Sequence, residues 1–507
     1  MNANDCHREE LIMETKLNYI NGKWVPALSG ATRKVINPAT GEVIGITAEG
    51  DAEDARLAIA AAKEAFYGKG EWRRTCAQKR AETIFSIADA LKARRDELAR
   101  IDTLDNGKPL REAECDVDDG INCFRYYAGL ITKPNGEVYD VNDGFGPMHS
   151  YTVREPIGVC AQITPWNYPF LMAIWKIAPA LAAGNSIVFK PSTLTPLSAV
   201  ALFEVLDSIG LPPGTVNLVM GSGSKVGNEM AASHDVDIVT FTGSTEVGQS
   251  IARAAVGNLK KVGLELGGKS PNVIFADADL EGAVEWAMIG VFFNQGEVCS
   301  AGSRIIIEEF VKDKFVARLA ERASRMTMGN GLDPDVDIGP LVSEEHMNTV
   351  LGYIKKGIEE GATLVCGGRR VTDGELSKGY FVQPTIFDDC TSDMTIVKEE
   401  IFGPVVTIQT FKTEEEAVKL ANDTVYGLAG AVFTTDGARG IRVMRELRAG
   451  ITWINCYNPT FNEAPWGGFK MSGYGRELGV HGLEEYTEVK QVNINLAPGK
   501  LGWYAER

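Results

Sequence analysis

From about Thr152 onward, short runs of β-branched residues alternate with segments of helical periodicity. This alternation predicts βαβ units and a parallel sheet, because parallel neighbouring strands need a long crossover connection, usually a helix. The predicted strands are GVCAQIT, SIVFKPS, TVNLVMG and VDIVTFTG, and the predicted helices are TPLSAVALFEVLDSIG, SKVGNEMAAS and TEVGQSIARAAVG. The chain is therefore expected to have an α/β fold.

A second series of strands and helices begins near Gly268, with NVIFADADLEGAVEWAMIGVFFN followed by RIIIEE and KDKFVARLAERASRM. With 507 residues, the chain is too long for one hydrophobic core, so we expect a second α/β domain. Residues 51–131 have mainly helical periodicity. We place the first domain at 1–131 and 151–266, and the second at 267–481.

The remaining segments, 132–150 and 482–507, lie outside both α/β series. The tail LEEYTEVKQVNINL alternates as a strand does, and TKPNGEVYDVNDGFGPMHSYTV is polar. We predict that the two segments form a small β extension that pairs with another subunit, which would make the protein a dimer or a tetramer.

Composition excludes several classes of function. The net charge is −17 and no block of Lys and Arg occurs, so nucleic acid is not an expected partner. The nine cysteines include no C-x-x-C pair and no Cys/His cluster, which argues against disulfides and a metal site. No 18-residue apolar run, signal peptide or transit peptide is recognised, so we expect a cytoplasmic protein without a membrane span.

One cysteine, Cys299, lies in the segment FFNQGEVCSAGSR. Cysteines are often buried as small, inert hydrophobic residues, and that is the simplest interpretation here as well. The neighbours of Cys299 are small or polar, however, and cannot enclose it in apolar side chains. The thiol is therefore a candidate nucleophile that can reach solvent or substrate.

Two glycine-rich turns are candidates for binding a dinucleotide. GSGSKVG nearly matches the G-x-G-x-x-G fingerprint but has one extra residue before its last glycine, and strand-to-helix turns use glycine in any case. FTGSTEVG follows a predicted strand and opens a predicted helix, so Gly243 and Ser244 are better placed to bind a pyrophosphate at a helix N-terminus.

Two further polar residues stand in apolar surroundings. In LELGGKSP, Glu265 ends a predicted strand before two glycines that permit close approach. It is either a solvated glutamate at a strand end or a buried carboxyl whose raised pKa suits a general base. In TPWNYP, Asn167 lies between aromatic residues and is either a turn residue or a ligand-binding amide.

Eight ordered motifs together resemble those of the aldehyde dehydrogenase superfamily. They are TPWNYP, WKIAPALAAGN, FKPS, FTGSTEVG, LELGGKSP, GEVCSAGSR, KEEIFGPV and PWGGFKMSGYGRELG. The resemblance extends from YINGKWV to EEYTEVK, and REPIGVCAQITPWNYP and SAGSR look most like betaine-aldehyde and aminoaldehyde dehydrogenases. It implies a Rossmann-like NAD(P)-binding first domain and a catalytic second domain.

The resemblance also implies catalytic roles. Cys299 matches the nucleophile that forms a thiohemiacetal with the aldehyde, and the Asn167 amide with the Cys299 backbone N–H matches the oxyanion site. Glu265 matches the base that activates water to hydrolyse the thioester. Lys176 and Glu477 stand at positions proposed as a proton relay.

For the cofactor, NAD or NADP, the resemblance implies binding by residues on both domains. They are Thr164, Trp166, Lys190, Ser192, Thr193, Gly243, Ser244, Glu400 and Phe402. Many NAD-using relatives carry glutamate at the place of Thr193, where a carboxylate would repel a 2'-phosphate. Thr193 would not, so we expect NADP to be accepted alongside NAD.

For the substrate, the resemblance implies a cationic aldehyde, either betaine aldehyde or an ω-aminoaldehyde. Glu112, Asp116 and Asp119 share one face of a predicted helix, which is either a solvated acidic stripe or, as in plant aminoaldehyde dehydrogenases, part of the substrate tunnel. The other matching residues are Tyr168, Trp175, Trp466 and Glu463, with Phe293 where the plant enzymes often carry tryptophan.

Three alternatives remain. The substrate could be a neutral aliphatic or aromatic aldehyde. A CoA-acylating aldehyde dehydrogenase would lack the hydrolytic glutamate, so Glu265 favours water as the acyl acceptor. A retired enzyme acting as a structural or binding protein is disfavoured, because Cys299, Glu265 and Asn167 are all retained.

Overall fold

In the computed structural model, which describes residues 14–133, 135–141, 146–500 and 502–504, the first large sheet has eight strands. In spatial order they are Gly473–Tyr474, Lys261–Glu265, Ile238–Thr242, Val159–Ile163, Ser186–Lys190, Val216–Leu218, Asn18–Ile20 and Lys23–Val25. The five strands from Lys261–Glu265 to Val216–Leu218 are parallel, and the outer pairings are antiparallel. The prediction of a parallel sheet is confirmed.

Helices cover this sheet, and residues 51–131 are mainly helical, as predicted. The α-helices are Ala52–Lys63, Glu71–Arg74, Ala77–Ala93, Arg95–Asn106, Leu110–Leu130, Pro169–Ala183, Leu197–Ile209, Asn228–Ala232 and Thr245–Ala255. Shorter helical turns are Glu64–Lys69, Gly223–Gly227 and Val256–Asn258. Every residue of the helix Pro169–Ala183 is buried, so its polar side chains point into packed surroundings.

The second large sheet has seven strands. In spatial order they are Thr363–Cys366, Thr385–Asp388, Val405–Phe411, Arg304–Glu308, Pro271–Ile274, Ala429–Phe433 and Ile451–Ile454. All pairings except that of the edge strand Thr363–Cys366 are parallel. The accompanying helices are Leu280–Phe292, Lys312–Ala323, Glu344–Glu359, Thr395–Lys398, Glu414–Asn422 and Gly437–Glu446, with shorter turns at Phe293–Gly296, Glu309–Val311, Gly374–Lys378 and Lys470–Ser472.

Two three-stranded sheets complete the fold. One contains Thr15–Lys16, Val43–Ala48 and Thr32–Ile36. The other contains Val138–Tyr139, Met148–Pro156 and Thr487–Asn495, the last following the helix Gly479–Glu485. The two predicted extension segments therefore do meet in one sheet, although the strand Met148–Pro156 runs past the predicted boundary at 150. The domain boundaries themselves stay a prediction.

Within the described ranges, none of the helices is long and apolar enough to cross a membrane. The eight cysteines in those ranges are free. The same ranges contain no cluster of three or more His, Cys, Asp or Glu that could hold a metal ion.

Candidate active site

A cavity of about 610 Å³ is lined by elements that belong to both large sheets. From the first sheet come residues at the carboxyl ends of Ile238–Thr242 and Lys261–Glu265, which is where ligands bind in open α/β sheets. From the second come the segment after Leu280–Phe292, which carries Cys299, and the loop that carries Glu400. The cavity thus brings together the candidate nucleophile, base and oxyanion amide, which are Cys299, Glu265 and Asn167.

Cys299 is half-buried in the cavity wall. Burial raises the pKa of its thiol, and the nearby carboxyls of Glu400 and Glu265 raise it further. In the free protein the group is therefore a thiol at neutral pH and needs a base to become a nucleophile. Glu265, which lines the same cavity, is the candidate for that base as well.

The turn before Cys299 is strained. Asn294 and Gln295 have φ angles of 48° and 57°, and Gly296 follows at 76°. A left-handed conformation costs a non-glycine residue about 1–2 kcal/mol, so two in succession require contacts that hold them. A Cβ on Gly296 would lie 2.3 Å from the Gly403 carbonyl oxygen, so the turn packs directly on the segment that carries Phe402.

Asn167 is buried and is held through both its side chain and its backbone. Its Nδ2 donates to the Glu297 carbonyl oxygen at 2.8 Å, and its backbone carbonyl accepts from Asn294 Nδ2 at 2.9 Å. An amide nitrogen carries two hydrogens, so one remains after the bond to Glu297. A rigid donor of this kind in a cavity wall suits a developing oxyanion.

Glu265 ends the strand Lys261–Glu265, as predicted, but it is buried, which excludes the solvated alternative. Burial raises the pKa of its carboxyl well above the usual range, and the neighbouring Glu477 raises it further. None of the residues that the structure describes forms a hydrogen bond with its Oε2. A carboxyl in this state is a stronger base than a solvated glutamate, and its free oxygen is available to water or substrate.

Lys176 and Glu477 form an ion pair behind Glu265, with Lys176 almost fully buried. Glu477 lines the cavity, and its Oε2 has no hydrogen-bond partner within the described part of the chain. The backbone of Glu477 exchanges two hydrogen bonds of 2.8 and 2.7 Å with Trp466. The candidate proton relay is therefore tied directly to the aromatic wall of the cavity.

Glu400 and Phe402 form the cavity wall on the side of the predicted cofactor. Glu400 accepts from the Gly268 backbone N–H at 2.9 Å, and burial raises the pKa of its carboxyl to about 7. A Cβ on Gly267 would lie 2.0 Å from Glu400 Oε2, so the close approach predicted for this glycine pair is confirmed. The Phe402 ring stands at 89° to the Trp166 ring, with centroids 5.2 Å apart.

Several features fit a dinucleotide in this part of the cavity. Ser244 is the N-cap of the helix Thr245–Ala255, and both Gly243 and Ser244 line the cavity, so the N-terminus of this helix faces it. The hydroxyl of Thr242 is buried in the cavity wall without a hydrogen-bond partner among the described residues, and that of Thr164 is similarly unpartnered but does not line the cavity. The GSGSKVG turn, residues 221–227, does not line the cavity either.

Lys190, Ser192 and Thr193 lie outside the wall of this cavity. Lys190 Nζ donates to the Pro191 carbonyl at 2.9 Å, and burial lowers its pKa to about 8. Sequence reasoning missed Glu49, whose carboxylate lies close enough to counteract part of that lowering. Glu49 is itself paired with Arg33, with Nε–Oε2 and Nη2–Oε1 distances of 2.5 and 2.8 Å.

The predicted aromatic site is partly assembled. Trp175 and Trp466 make an edge contact with ring centroids 5.6 Å apart, and Phe293 lines the same cavity. Sequence reasoning missed Trp286 and Ile289, which also line it. They lie three residues apart on the helix Leu280–Phe292, and this spacing was the available signal.

The acidic stripe does lie on one helix, Leu110–Leu130, but its members have different environments. Glu112 does not line the cavity, and its carboxylate accepts from the Asn294 backbone N–H at 2.8 Å. Asp116 does line the cavity, but it is paired at 2.6 Å with Lys108. Only Asp119 of the three lines the cavity without an ion pair among the described residues.

Two other predicted substrate residues need correction. The ammonium of Lys108 sits 4.2 Å from the centroid of Tyr168, so one face of that ring already binds a cation of the protein. Glu463 does not line the main cavity but a second one of about 450 Å³, which shares Asp119 and Thr460 with the first. Sequence reasoning did not foresee Lys108, because it lies in the loop before the helix.

A sequence model of the aldehyde dehydrogenase family matches residues 24–492. The chain belongs to the aldehyde dehydrogenase family. It is 51% identical to a betaine aldehyde dehydrogenase of Bacillus subtilis over 96% of this chain and 99% of that protein. It is 48% identical to the human mitochondrial aldehyde dehydrogenase, over 94% of this chain and 92% of that protein.

Solved structures of the family agree with the fold. A betaine aldehyde dehydrogenase of Staphylococcus aureus in complex with NAD+ superposes with a TM-score of 0.95, at 48% identity, over 97% of each chain. Another structure of that enzyme, also with NAD+, carries a cysteine modified by BME. The prediction of an α/β fold with a Rossmann-like and a catalytic domain, made from the motifs, is confirmed.

Proposed function

We propose that this aldehyde dehydrogenase oxidises an aldehyde to the carboxylic acid with NAD, through a covalent intermediate on Cys299. The observation that carries the proposal is the convergence of Cys299, Asn167 and Glu265 on one cavity, in a chain that belongs to this family. The test is the appearance of reduced NAD, measured by absorbance, with a panel of aldehydes. An inactive chain across the whole panel would contradict the proposal and favour the retired-enzyme alternative.

The chain's own groups account for the covalent steps. Glu265 takes the thiol proton, and Cys299 Sγ bonds to the aldehyde carbon while the Asn167 amide and the Cys299 N–H bind the oxyanion. When bound, the nicotinamide supplies the acceptor for a hydride. Once the hydride has left the carbon, the acyl group stays on Cys299 as a thioester. Glu265 passes the thiol proton on to solvent, with Lys176 and Glu477 as the candidate relay, and can then take a proton from water, which attacks the thioester. That second proton goes to the departing sulfur, so the acid and the Cys299 thiol are released.

The cofactor site of the proposal uses residues from both large sheets. The helix N-terminus at Ser244 would hold the pyrophosphate, and Glu400 and Phe402 would hold the nicotinamide end. Lys190, outside the main cavity, would bind the adenine ribose. Support comes from the Thr242 hydroxyl, which lines the cavity without a hydrogen-bond partner among the described residues, and from relatives crystallised with NAD+.

We expect the enzyme to accept NADP, which carries a 2'-phosphate, in addition to NAD. Thr193 carries no charge, so nothing at that position repels the phosphate, and Arg33 lies near Lys190 although it is paired with Glu49. We expect NADP to support at least a hundredth of the NAD rate at saturation, a ratio equivalent to about 2.7 kcal/mol. Steady-state rates with each cofactor measure this. Thr193→Glu is the matched variant, and it should lose NADP activity while keeping NAD activity.

The substrate of the proposal is a cationic aldehyde, either betaine aldehyde or an ω-aminoaldehyde. The support is a cavity wall that combines the rings of Trp175, Trp466 and Phe293 with the carboxyl of Asp119, which accepts from Asn462 Nδ2 but forms no ion pair among the described residues. A quaternary or primary ammonium gains about 0.5–2 kcal/mol from such rings. The similarity to betaine aldehyde dehydrogenases agrees with this assignment.

Removing one ring should lower selectivity for charge. For Trp175→Leu we expect the ratio of kcat/KM for a cationic aldehyde to that for a neutral one of equal length to fall about 2- to 30-fold, the range of cation–π energies. The ratio is insensitive to partial unfolding, because both substrates report on the same folded molecules. Trp72→Leu, at another buried tryptophan outside the cavity, is the control. An unchanged ratio in Trp175→Leu, or a wild-type ratio no greater than one, would favour a neutral aldehyde.

Water is the proposed acyl acceptor, since Glu265 is present to activate it. Comparing rates and products with and without CoA tests this choice, because an acylating enzyme would need CoA and would form acyl-CoA.

We further propose a homo-oligomer assembled through the sheet of Val138–Tyr139, Met148–Pro156 and Thr487–Asn495. Its support is the exposure of apolar side chains such as Val489 and Ile494 on an edge strand. A cytoplasmic location stays a prediction.

A further inference from the structure

Glu297, two residues before the nucleophile, makes contacts that no catalytic role explains. Its side chain is completely buried, and Oε1 accepts from the Val342 backbone N–H at 2.9 Å. Oε2 lies 3.5 Å from Gln295 Nε2. The carboxyl therefore anchors the strained turn at one end and the segment leading into the helix Glu344–Glu359 at the other.

The backbone of Glu297 is equally constrained. Its carbonyl oxygen accepts from Asn167 Nδ2 at 2.8 Å and from Asn294 Nδ2 at 3.1 Å, and its N–H donates to the Asn294 carbonyl at 2.9 Å. The oxyanion amide of Asn167 is thus held directly by Glu297. Any shift of Glu297 would move that amide and, through Val298, the Cys299 backbone N–H.

A histidine connects the same carboxyl to the cofactor side of the cavity. His346 Nε2 lies 2.6 Å from the Phe402 carbonyl oxygen. A carbonyl only accepts, so Nε2 carries the hydrogen. The same nitrogen is 3.7 Å from Glu297 Oε1, and the imidazole packs on Trp166 with centroids 5.0 Å apart. Glu297 therefore lies between the nucleophile turn and two residues of the predicted cofactor wall.

We propose that Glu297 is a positioning residue, which holds the strained turn Asn294–Gly296 so that the Cys299 N–H and the Asn167 amide converge on the aldehyde oxygen. The proposal rests on the proposed function, since it assigns Glu297 a part in that reaction. Glu112 supports the same turn from the opposite side, through the Asn294 N–H. This contact gives Glu112 a structural part in place of the substrate role predicted from the sequence.

Two substitutions of Glu297 separate positioning from bulk stability. Glu297→Leu keeps the approximate size of the side chain but removes the acceptor for the Val342 N–H. We expect kcat to fall about 100-fold, the loss that a misplacement of about 1 Å can cause. The KM values for aldehyde and NAD should change less than about 3-fold. Burial raises the pKa of the Glu297 carboxyl well above its usual range, so it resembles a neutral amide. Glu297→Gln should therefore recover most of the lost kcat.

The control is Glu360→Leu, at another carboxyl that anchors backbone, through the Thr395 N–H at 2.7 Å, but outside the cavity. It should lower the Tm and leave kcat unchanged. If Glu297→Leu does not fold, Asn294→Gly serves instead, because glycine accepts the left-handed φ while the amide that grips Asn167 and Glu297 is lost. We expect it to lower kcat about 10-fold while the Tm falls no further than in Glu360→Leu.

The outcomes distinguish this proposal from the proposed function. Wild-type kcat in both Glu297→Leu and Asn294→Gly would overturn the positioning role while leaving the function of Cys299 intact. Equal losses in Glu297→Leu and Glu360→Leu, proportional to their loss of Tm, would also overturn it. Aldehyde oxidation that persists in Cys299→Ala would instead contradict the proposed function.

Discussion

Replacing Cys299 by alanine abolishes aldehyde oxidation: we expect kcat to fall about 10⁴-fold or more, as in other enzymes that lose a covalent nucleophile. The reason is chemical, since the thiol of Cys299 forms the thiohemiacetal next to the oxyanion site at its own backbone N–H. Cys115, the other thiol that lines the cavity, lies on the helix Leu110–Leu130 and not in that segment. Formation of reduced NAD under saturating aldehyde measures the loss.

Cys366→Ala is the matched control, because that cysteine is also half-buried but lies on the edge strand Thr363–Cys366, outside the cavity. It should keep full activity. The wild-type thiol itself should alkylate faster as the pH rises, because burial holds its pKa above the usual value and the thiolate fraction grows tenfold per pH unit below that pKa. Undiminished turnover by Cys299→Ala would remove this residue from the mechanism.

The second large effect is expected for Glu265→Gln. Glutamine keeps the shape but cannot take a proton, so steady-state turnover should fall about 10²–10⁴-fold, the usual contribution of a general base. Deacylation should suffer most, so a burst of reduced NAD equal to the number of active sites should precede slow turnover. Rapid-mixing absorbance resolves the burst, and its absence together with slow turnover would mean that removal of the thiol proton, and not activation of water, is the step that this variant slows most.

Glu308→Gln is the control for this variant. Glu308 also ends a parallel strand, Arg304–Glu308, and its carboxylate accepts from the Ala276 backbone N–H at 2.8 Å, outside the cavity. It should turn over at the wild-type rate. In the wild type, the rate of deacylation should fall as the pH drops through the raised pKa of Glu265, because the base must be deprotonated. A pH-independent kcat limited by deacylation would contradict that role.

Much of the fold follows from local patterns. The alternation of β-branched runs with helical segments predicted the parallel strands Val159–Ile163, Ser186–Lys190, Val216–Leu218 and Ile238–Thr242. These strands are almost completely buried, so their near-continuous apolar runs are the expected signal of a parallel sheet covered by helices on both faces. Cys299 was recognisable because most of the residues around it are small or polar, and Glu265 because it stands in an apolar run just before two glycines.

The environment of the acidic stripe could not be predicted from spacing. Positions 112, 116 and 119 do share one face of a helix, but periodicity says nothing about what packs opposite that face. The partner, Lys108, lies in a loop whose path depends on tertiary packing, and it neutralises Asp116 rather than a ligand. The strained turn could not be predicted either. In the sequence only Gly296 suggests a left-handed backbone angle, but Asn294 and Gln295 adopt such angles as well.

The pair of backbone hydrogen bonds between Trp466 and Glu477 has a consequence for how this enzyme can be altered. A mutation that changes the backbone position of Trp466 also displaces the backbone of Glu477. Substrate selectivity and proton transfer therefore change together. A library built only to widen the aldehyde range at this position would therefore also sample slower release of the acid. Variation at Ile289, on the helix Leu280–Phe292, does not involve these backbone bonds and offers the freer route to new substrates.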